Sequence, residues 1–283
     1  MMDFLSYSLN VLRATDRDRY ISVLFAPKKE RRALAAVYTF NAEISRIGED
    51  VHEPLIGEMR LRWWYNSIAS GEGKDSNPIL NDLLEAITSF NLPKEVFLHY
   101  CDARVSELYS NPIATTCDLE IYCEKTAGSI LYLACQILNF KLAQDFTDVC
   151  RHASIAQASS GILRLLSLGQ SRYRNYFPSD LLKATGVDRE ELESDHVDDT
   201  QKKRIIEAMV ALSRDHYLKF LEHSTILPKT LKLAFLPLAI TPASLQKVTK
   251  LGAKIFQENA VLSPLHRYWL VTKTAIGGHF PQL

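Results

Sequence analysis

What this 283-residue chain lacks closes off several classes of function. It has no net charge, with 33 lysines and arginines against 33 aspartates and glutamates. No long-range field therefore favours nucleic acid as the main partner. Long apolar runs are also missing: residues 130–140 form the best candidate, well short of the ~18 uninterrupted apolar residues of a membrane span. The stretch 1–10 is broken by Asp3, Ser6 and Ser8 and lacks the basic start and apolar run of a signal peptide. A cytoplasmic protein, at most peripheral to the inner membrane, is the expectation. Cys101, Cys117, Cys123, Cys135 and Cys150 are an odd set without CxxC spacing, which points to reduced, mostly buried thiols. The eight histidines include no pair with zincin spacing, and no glycine-rich loop opens a helix. Neither a zinc site nor a phosphate loop is assigned.

Glycine and proline are sparse too, 11 of each, and they fall between long periodic segments. Strand-like alternation is scarce. In residues 28–51, Leu34, Val37, Tyr38, Ile44 and Ile47 recur close to one face of a 3.6-residue period, behind the start signal of Pro27. Further helices are expected at 53–69, 77–90, 93–109, 118–139, 145–169, 201–224, 228–240, 242–257 and 263–276. Pro237 marks a kink or break. The acidic stretch 187–200 is expected to be a solvated loop with a short helix. No internal repeat or linker appears, so one continuous all-α domain is expected over 1–283, with its core at about 16–276.

Two segments carry the functional argument. The first is Tyr38-Thr39-Phe40-Asn41-Ala42-Glu43-Ile44-Ser45-Arg46-Ile47-Gly48-Glu49. The second is Gly161-Ile162-Leu163-Arg164-Leu165-Leu166-Ser167-Leu168-Gly169, followed by Arg172, Arg174 and Tyr176-Phe177-Pro178-Ser179-Asp180. Leu24-Phe25-Ala26-Pro27 with Arg31-Arg32, and Tyr122-Cys123 with Thr126-Ala127-Gly128, complete the pattern. In order and spacing these anchors resemble the squalene/phytoene synthase family, which joins two prenyl diphosphates head to head. The resemblance spans about residues 16–275. It implies a single-domain helical bundle of the isoprenoid synthase type with a central cavity, where aspartates on two facing helices grip Mg²⁺ and, through it, diphosphate.

The departures from that pattern are systematic. By this resemblance Ser45 and Arg46 stand where paired aspartates belong, and Glu49 is the only acid kept. Ala42 replaces an arginine that contacts diphosphate. Leu165, Leu168 and Gly169 replace the three acids of the second motif, and Gly161 its asparagine. Asp16 and Asp18 fall where hydroxyl residues help bind diphosphate, and Thr241 where a tyrosine lines the reacting centre. Mg²⁺ is a hard cation that needs oxygen ligands, and ionising an allylic diphosphate needs metals and cations on the departing anion. One glutamate cannot replace five or six acids. No metal cofactor and no catalytic residue is therefore assigned, with an active Mg²⁺-dependent prenyltransferase as the alternative.

Arg17-Asp18-Arg19-Tyr20, Ala42-Glu43 and Gly57-Glu58-Met59-Arg60-Leu61-Arg62-Trp63-Trp64 look like the branch of the family that assists assembly of respiratory complex I. That branch also lacks the aspartate motifs. A non-catalytic protein follows, with an isoprenoid or lipid ligand in an apolar tunnel and a respiratory assembly partner. Arg164, Arg172 and Arg174 are candidate phosphate ligands. Arg46 is expected to pair with Glu49. Glu49, Asp50 and Glu53 around His52 read as a solvated helix end. Trp63-Trp64 beside Arg60 and Arg62 offer a membrane-interface alternative to a core role.

Overall fold

The computed structural model describes residues 7–51, 53–73, 77–109, 111–169, 171–194 and 196–283, excepting the side chains of 171 and 172. Among them there is no strand, and fifteen α-helices run through the chain. The first six are α1 (Tyr7–Thr15), α2 (Arg17–Leu24), α3 (Lys28–Asp50), α4 (Pro54–Ser70), α5 (Pro78–Phe90) and α6 (Lys94–Leu108). They are followed by α7 (Thr116–Cys123), α8 (Ser129–Ala143), α9 (Thr147–Leu166), α10 (Ser179–Ala184) and α11 (Arg189–Glu193). The last four are α12 (Asp199–Ser224), α13 (Lys229–Lys232), α14 (Thr241–Leu251) and α15 (Pro264–Gly277). The all-α, single-domain expectation holds.

Local chemistry sets the ends. Thr115 and Asp118 close a capping box on α7, and Asp198 and Gln201 one on α12, each satisfying orphan backbone donors. The acidic stretch forms the short α11, with Leu192 beneath it buried. Its Asp195, like His52, lies outside the described residues.

Three expectations need correction. The helix expected over 242–257 ends as α14 at Leu251, where Gly252 at a φ of 53° turns the chain into a 3₁₀ segment, Gly252–Phe256. The helix expected over 118–139 is three pieces, because a π-helical turn, Glu124–Gly128, separates α7 from α8. Gly128 explains the close approach there, since a Cβ on it would sit 3.2 Å from Ser154 Oγ on α9. The helix expected over 228–240 is α13 followed by a 3₁₀ segment, Leu233–Ile240, containing Pro237. Proline offers no amide for the α-helical bond, and tighter winding is the local solution.

Helix α3 is the hub. From Ala33 to Ala42 every residue is buried, and Phe40 meets Trp64, Phe97 and Tyr100 with ring centroids 5.5–5.6 Å apart. Trp64 is therefore core, and Trp63 stacks edge-on against it. The hydrophobic side chains form two clusters. One gathers α1–α6, α8 and the late half of α12, and the other gathers α7, the end of α9, the early half of α12 and α14. Helices α9 and α12 pass through both. The cavity lies at the junction.

A pH-sensitive contact sits where α9 packs on α12. His152 Nδ1 and His216 Nδ1 are 3.0 Å apart, so one must donate and the other accept, which requires at least one neutral ring. Glu120 Oε1 lies 3.4 Å from His216 Nε2, and the His223 ring stacks on His152 at 5.7 Å. Burial lowers both pKa values. His152 is pushed further by His216, Lys219, His223 and Arg151, while Glu120 partly opposes the shift at His216. Unfolded histidines titrate near ~6.5, so as pH falls the unfolded chain takes up protons first. Stability from this pair is complete above that value and is lost as pH falls through the lower native pKa. The urea midpoint is expected to drop between pH 7.5 and 5, and His152→Gln is expected to flatten that drop. An unchanged slope in the variant would remove the pair as its source.

Candidate functional site

A cavity of about 860 Å³ lies where the two clusters meet. Its walls are the end of α1, Asp16 and Arg19 at the head of α2, the late half of α3, Arg104 and Glu107 of α6, Tyr122 of α7 and the π turn. Gln157 to Leu165 of α9 and the 3₁₀ residues Tyr173–Tyr176 close it. Of the positions singled out in the sequence, Ser45, Arg46, Glu49, Gly161, Arg164 and Leu165 line this space. Thr241, buried at the start of α14, lines an adjoining hollow of about 440 Å³ with Asp18, Gln157, Arg164 and Arg267.

Leu168 and Gly169 do not line it. Helix α9 stops at Leu166, Leu168 is 45% exposed, and Gly169 turns the chain at a φ of 77°. The helical register that would aim them inward has already ended. Arg174 also points elsewhere. Its Nη1 donates to the Leu192 carbonyl at 2.9 Å and its guanidinium lies over the Phe256 ring. The side chain of Arg172 lies outside the described residues.

Arg46 does not take Glu49 as its ion-pair partner. It reaches Asp50, at i+4, with 3.8 Å between Nη2 and Oδ2 and both side chains 51% exposed. Residues four apart stand one above the other on a helix, and an exposed pair of this length contributes little. Glu49 is instead approached by the Tyr173 hydroxyl at 3.3 Å.

The cavity wall mixes apolar groups, Ile113, Ile162, Leu165 and Tyr173 among them, with charged ones. Arg19, Arg46, Arg104 and Arg164 face Asp16, Glu49, Glu107 and Asp118. The bulky aromatic groups Tyr38, Phe40, Phe97 and Tyr100 are packed into the core, whereas Tyr122, Tyr173 and Tyr176 stand on the wall. Arg104 Nη1 donates to Glu107 Oε1 at 2.8 Å, and Tyr122 donates to the same oxygen at 2.7 Å. Asn41 Oδ1 accepts from the Tyr100 hydroxyl at 2.8 Å. Buried Gln157 Oε1 and Arg104 Nε have no hydrogen-bond partner.

Two carboxylates sequester two of the cations. Asp16 caps α2, accepting from Arg19 N at 3.0 Å and from Arg19 Nη1 at 2.7 Å. Burial pushes its carboxyl up, but the charge and hydrogen bonds of Arg19 bring it below the usual range. Asp18 grips Arg267 of α15 with both oxygens, at 2.8 and 2.6 Å. There burial wins and the Asp18 pKa is raised despite the pair. Burial likewise lowers the pKa of Arg164, against the nearby Asp18.

These donors do not suit a Mg²⁺ cluster. The facing positions of α3 and α9 supply one carboxylate, one hydroxyl, one guanidinium, one aliphatic side chain and a glycine. Mg²⁺ takes carboxylates and waters in octahedral array, and a guanidinium beside it repels it. Among the described residues no three His, Cys, Asp or Glu are grouped to hold a metal ion.

Sequence reading missed Arg267, Arg104, Glu107 and Gln157. Arg267 lies 249 residues from Asp18, and nothing local signals the pairing. Tyr122, Thr126 and Ala127 were visible as anchors, and the π turn that presents them is the kind of interruption that marks functional helices.

Comparison with known proteins places this geometry. The squalene/phytoene synthase model matches residues 12–266. The human NADH dehydrogenase (ubiquinone) complex I, assembly factor 6, is 27% identical over 273 residues, covering 93% of this chain and 80% of that protein. A phytoene synthase of Thermus thermophilus is 28% identical over 193 residues, 67% of this chain and 64% of that one. The crystal structure of a dehydrosqualene synthase in complex with ligand superposes with a TM-score of 0.81 at 18% identity, over 96% of both chains.

Proposed function

From the premise that this chain belongs to the squalene/phytoene synthase family, we propose that it is a non-catalytic member serving respiratory complex assembly. The observation that carries this reading is the donor set of the cavity. Where Mg²⁺ and diphosphate would be held, α3 and α9 present Ser45, Arg46, Gly161 and Leu165, with Glu49 alone as an acid. The Asp16–Arg19 and Asp18–Arg267 pairs add to it. At positions where the family resemblance implies diphosphate-binding hydroxyls, this protein carries its own anions, each already holding a cation. The similarity to assembly factor 6, over most of both chains, supports the partner class.

The cavity then serves as a closed structural chamber or takes a ligand without metal, an isoprenoid or lipid among the candidates. A second reading, head-to-head prenyl transfer, draws on the phytoene synthase similarity, and it requires a metal site that this donor set does not supply.

Melting separates the two. A ligand that binds the native state raises its stability by about RT ln(1 + [L]/Kd). Millimolar Mg²⁺, with or without inorganic pyrophosphate, is expected to leave the melting temperature unchanged, and EDTA likewise. A Mg²⁺-dependent rise in the unmodified protein would put the enzymatic reading first.

A further inference from the structure

Helix α15 has two unlike faces. Inward, Leu270, Val271 and Thr274 are buried, and Arg267 reaches Asp18. Outward, Leu265, Trp269 and Ile276 are 80%, 55% and 78% exposed. Steps of four and seven residues place the three on one stripe. An exposed leucine taken singly is ordinary, but an aligned set with a tryptophan is not. Lys273 Nζ stands 4.8 Å over the Trp269 ring, and the His266 ring flanks it at 6.3 Å. From Asn259 to Leu283 the chain contains no aspartate or glutamate, and with Arg267 held inward by Asp18, Lys273 is the cation beside the stripe.

We propose that the outer face of α15 docks on the surface of an anionic lipid bilayer. A helix that presents an apolar stripe edged by cations lies in the interface, its stripe among the acyl chains and its cations at the headgroups. Tryptophan suits that boundary because its ring is apolar and its indole N–H is polar, and lysine can extend its ammonium towards water along the stripe. Charge complementarity selects this occupant. A second exposed apolar group, Leu55, Ile56 and Met59 on α4, is interleaved with charges of both signs, Glu53 and Glu58 with Arg60 and Arg62. Glu58 accepts from Tyr109, and Arg62 is held by Glu58 and Asp102. Charge is balanced there, whereas α15 carries no carboxylate to oppose an anionic surface. No described helix is long and apolar enough to cross a membrane, and three side chains give reversible docking rather than an anchor. The proposal does not depend on what the cavity holds.

Co-sedimentation of the full-length protein with vesicles of phosphatidylcholine alone, and of phosphatidylcholine mixed with phosphatidylglycerol, tests it. Binding to the mixed vesicles is expected, weaker binding to the neutral ones, and a decline as added salt shortens the screening length. Leu265→Glu and Ile276→Glu are each expected to reduce the bound fraction about tenfold. Their melting temperatures should stay at the wild-type value, because both sites face solvent. Trp269→Phe should keep binding yet lose the vesicle-induced blue shift of tryptophan emission, since Trp64 is buried and Trp63 packs against it. Wild-type protein that ignores the mixed vesicles, or glutamate variants that bind them as well as wild type, would overturn the proposal. A wild-type dimer that Leu265→Glu splits into monomers would overturn it as well, giving the stripe to a second copy of the chain.

Discussion

Incubated with farnesyl or geranylgeranyl diphosphate, Mg²⁺ and NADPH, the purified protein is expected to yield no squalene, phytoene or presqualene-type product above a control without protein. The argument rests on magnitude. Departure of diphosphate leaves a concentrated negative charge, and removing one preorganised group that stabilises such a charge costs about 10²–10³ in rate. Here several are replaced together. Ser45, Leu165 and Gly161 bring no charge, Arg46 brings the wrong sign for a metal, and Asp16 and Asp18 put carboxylates at positions where the family resemblance implies diphosphate-binding hydroxyls. Losses that share one metal cluster do not add independently, but replacing the whole set together removes the metal-dependent route. Glu49→Gln should change nothing, because it removes the last acid of a set that no longer functions. Turnover that Glu49→Gln abolishes would show that a metal site survives.

The largest expected effect on stability belongs to Arg267. Its bidentate pair with Asp18 ties α15 to α2, with side chains 20% and 14% exposed. Removing one member of a buried ion pair typically costs about 3–5 kcal/mol, because the other charge is left in a poor solvent. Two features reduce that figure. The pair retains some exposure, and the already raised carboxyl of Asp18 can escape by taking a proton. Arg267→Met is therefore expected to cost about 2–3 kcal/mol at neutral pH and to lower the melting temperature by about 5 °C. Asp18→Asn added to Arg267→Met should recover most of the loss. A double variant no better than the single one would mean that Arg267 stabilises through its stem rather than its charge.

The contrast between α3 and the Asp18–Arg267 pair divides what could be read in advance from what could not. Apolar spacing and the Pro27 start placed α3 within a residue of its observed span, because that signal is local and repeats each turn. The departures at Ser45, Arg46 and Leu165 were visible only against the family resemblance, which implies acids at those positions of α3 and α9. The end of α9 was misplaced. A helix terminus rests on the few residues of its last turn, and Gly169 at positive φ acts as a stop rather than as a further inward position. The π turn at Glu124–Gly128 escaped reading because it arises from the packing of Gly128 against Ser154, not from any run of residues.

The sequence by itself determined the helical class and the family, since both are written in residue type and short-range spacing. Tertiary structure alone decided which charges meet. It brought Asp18 to Arg267 across 249 residues, set arginines and carboxylates among the apolar chains of the cavity wall, and turned the Leu265–Trp269–Ile276 face of α15 to solvent. Such pairings depend on desolvation and distance, which exist only once the helices have packed.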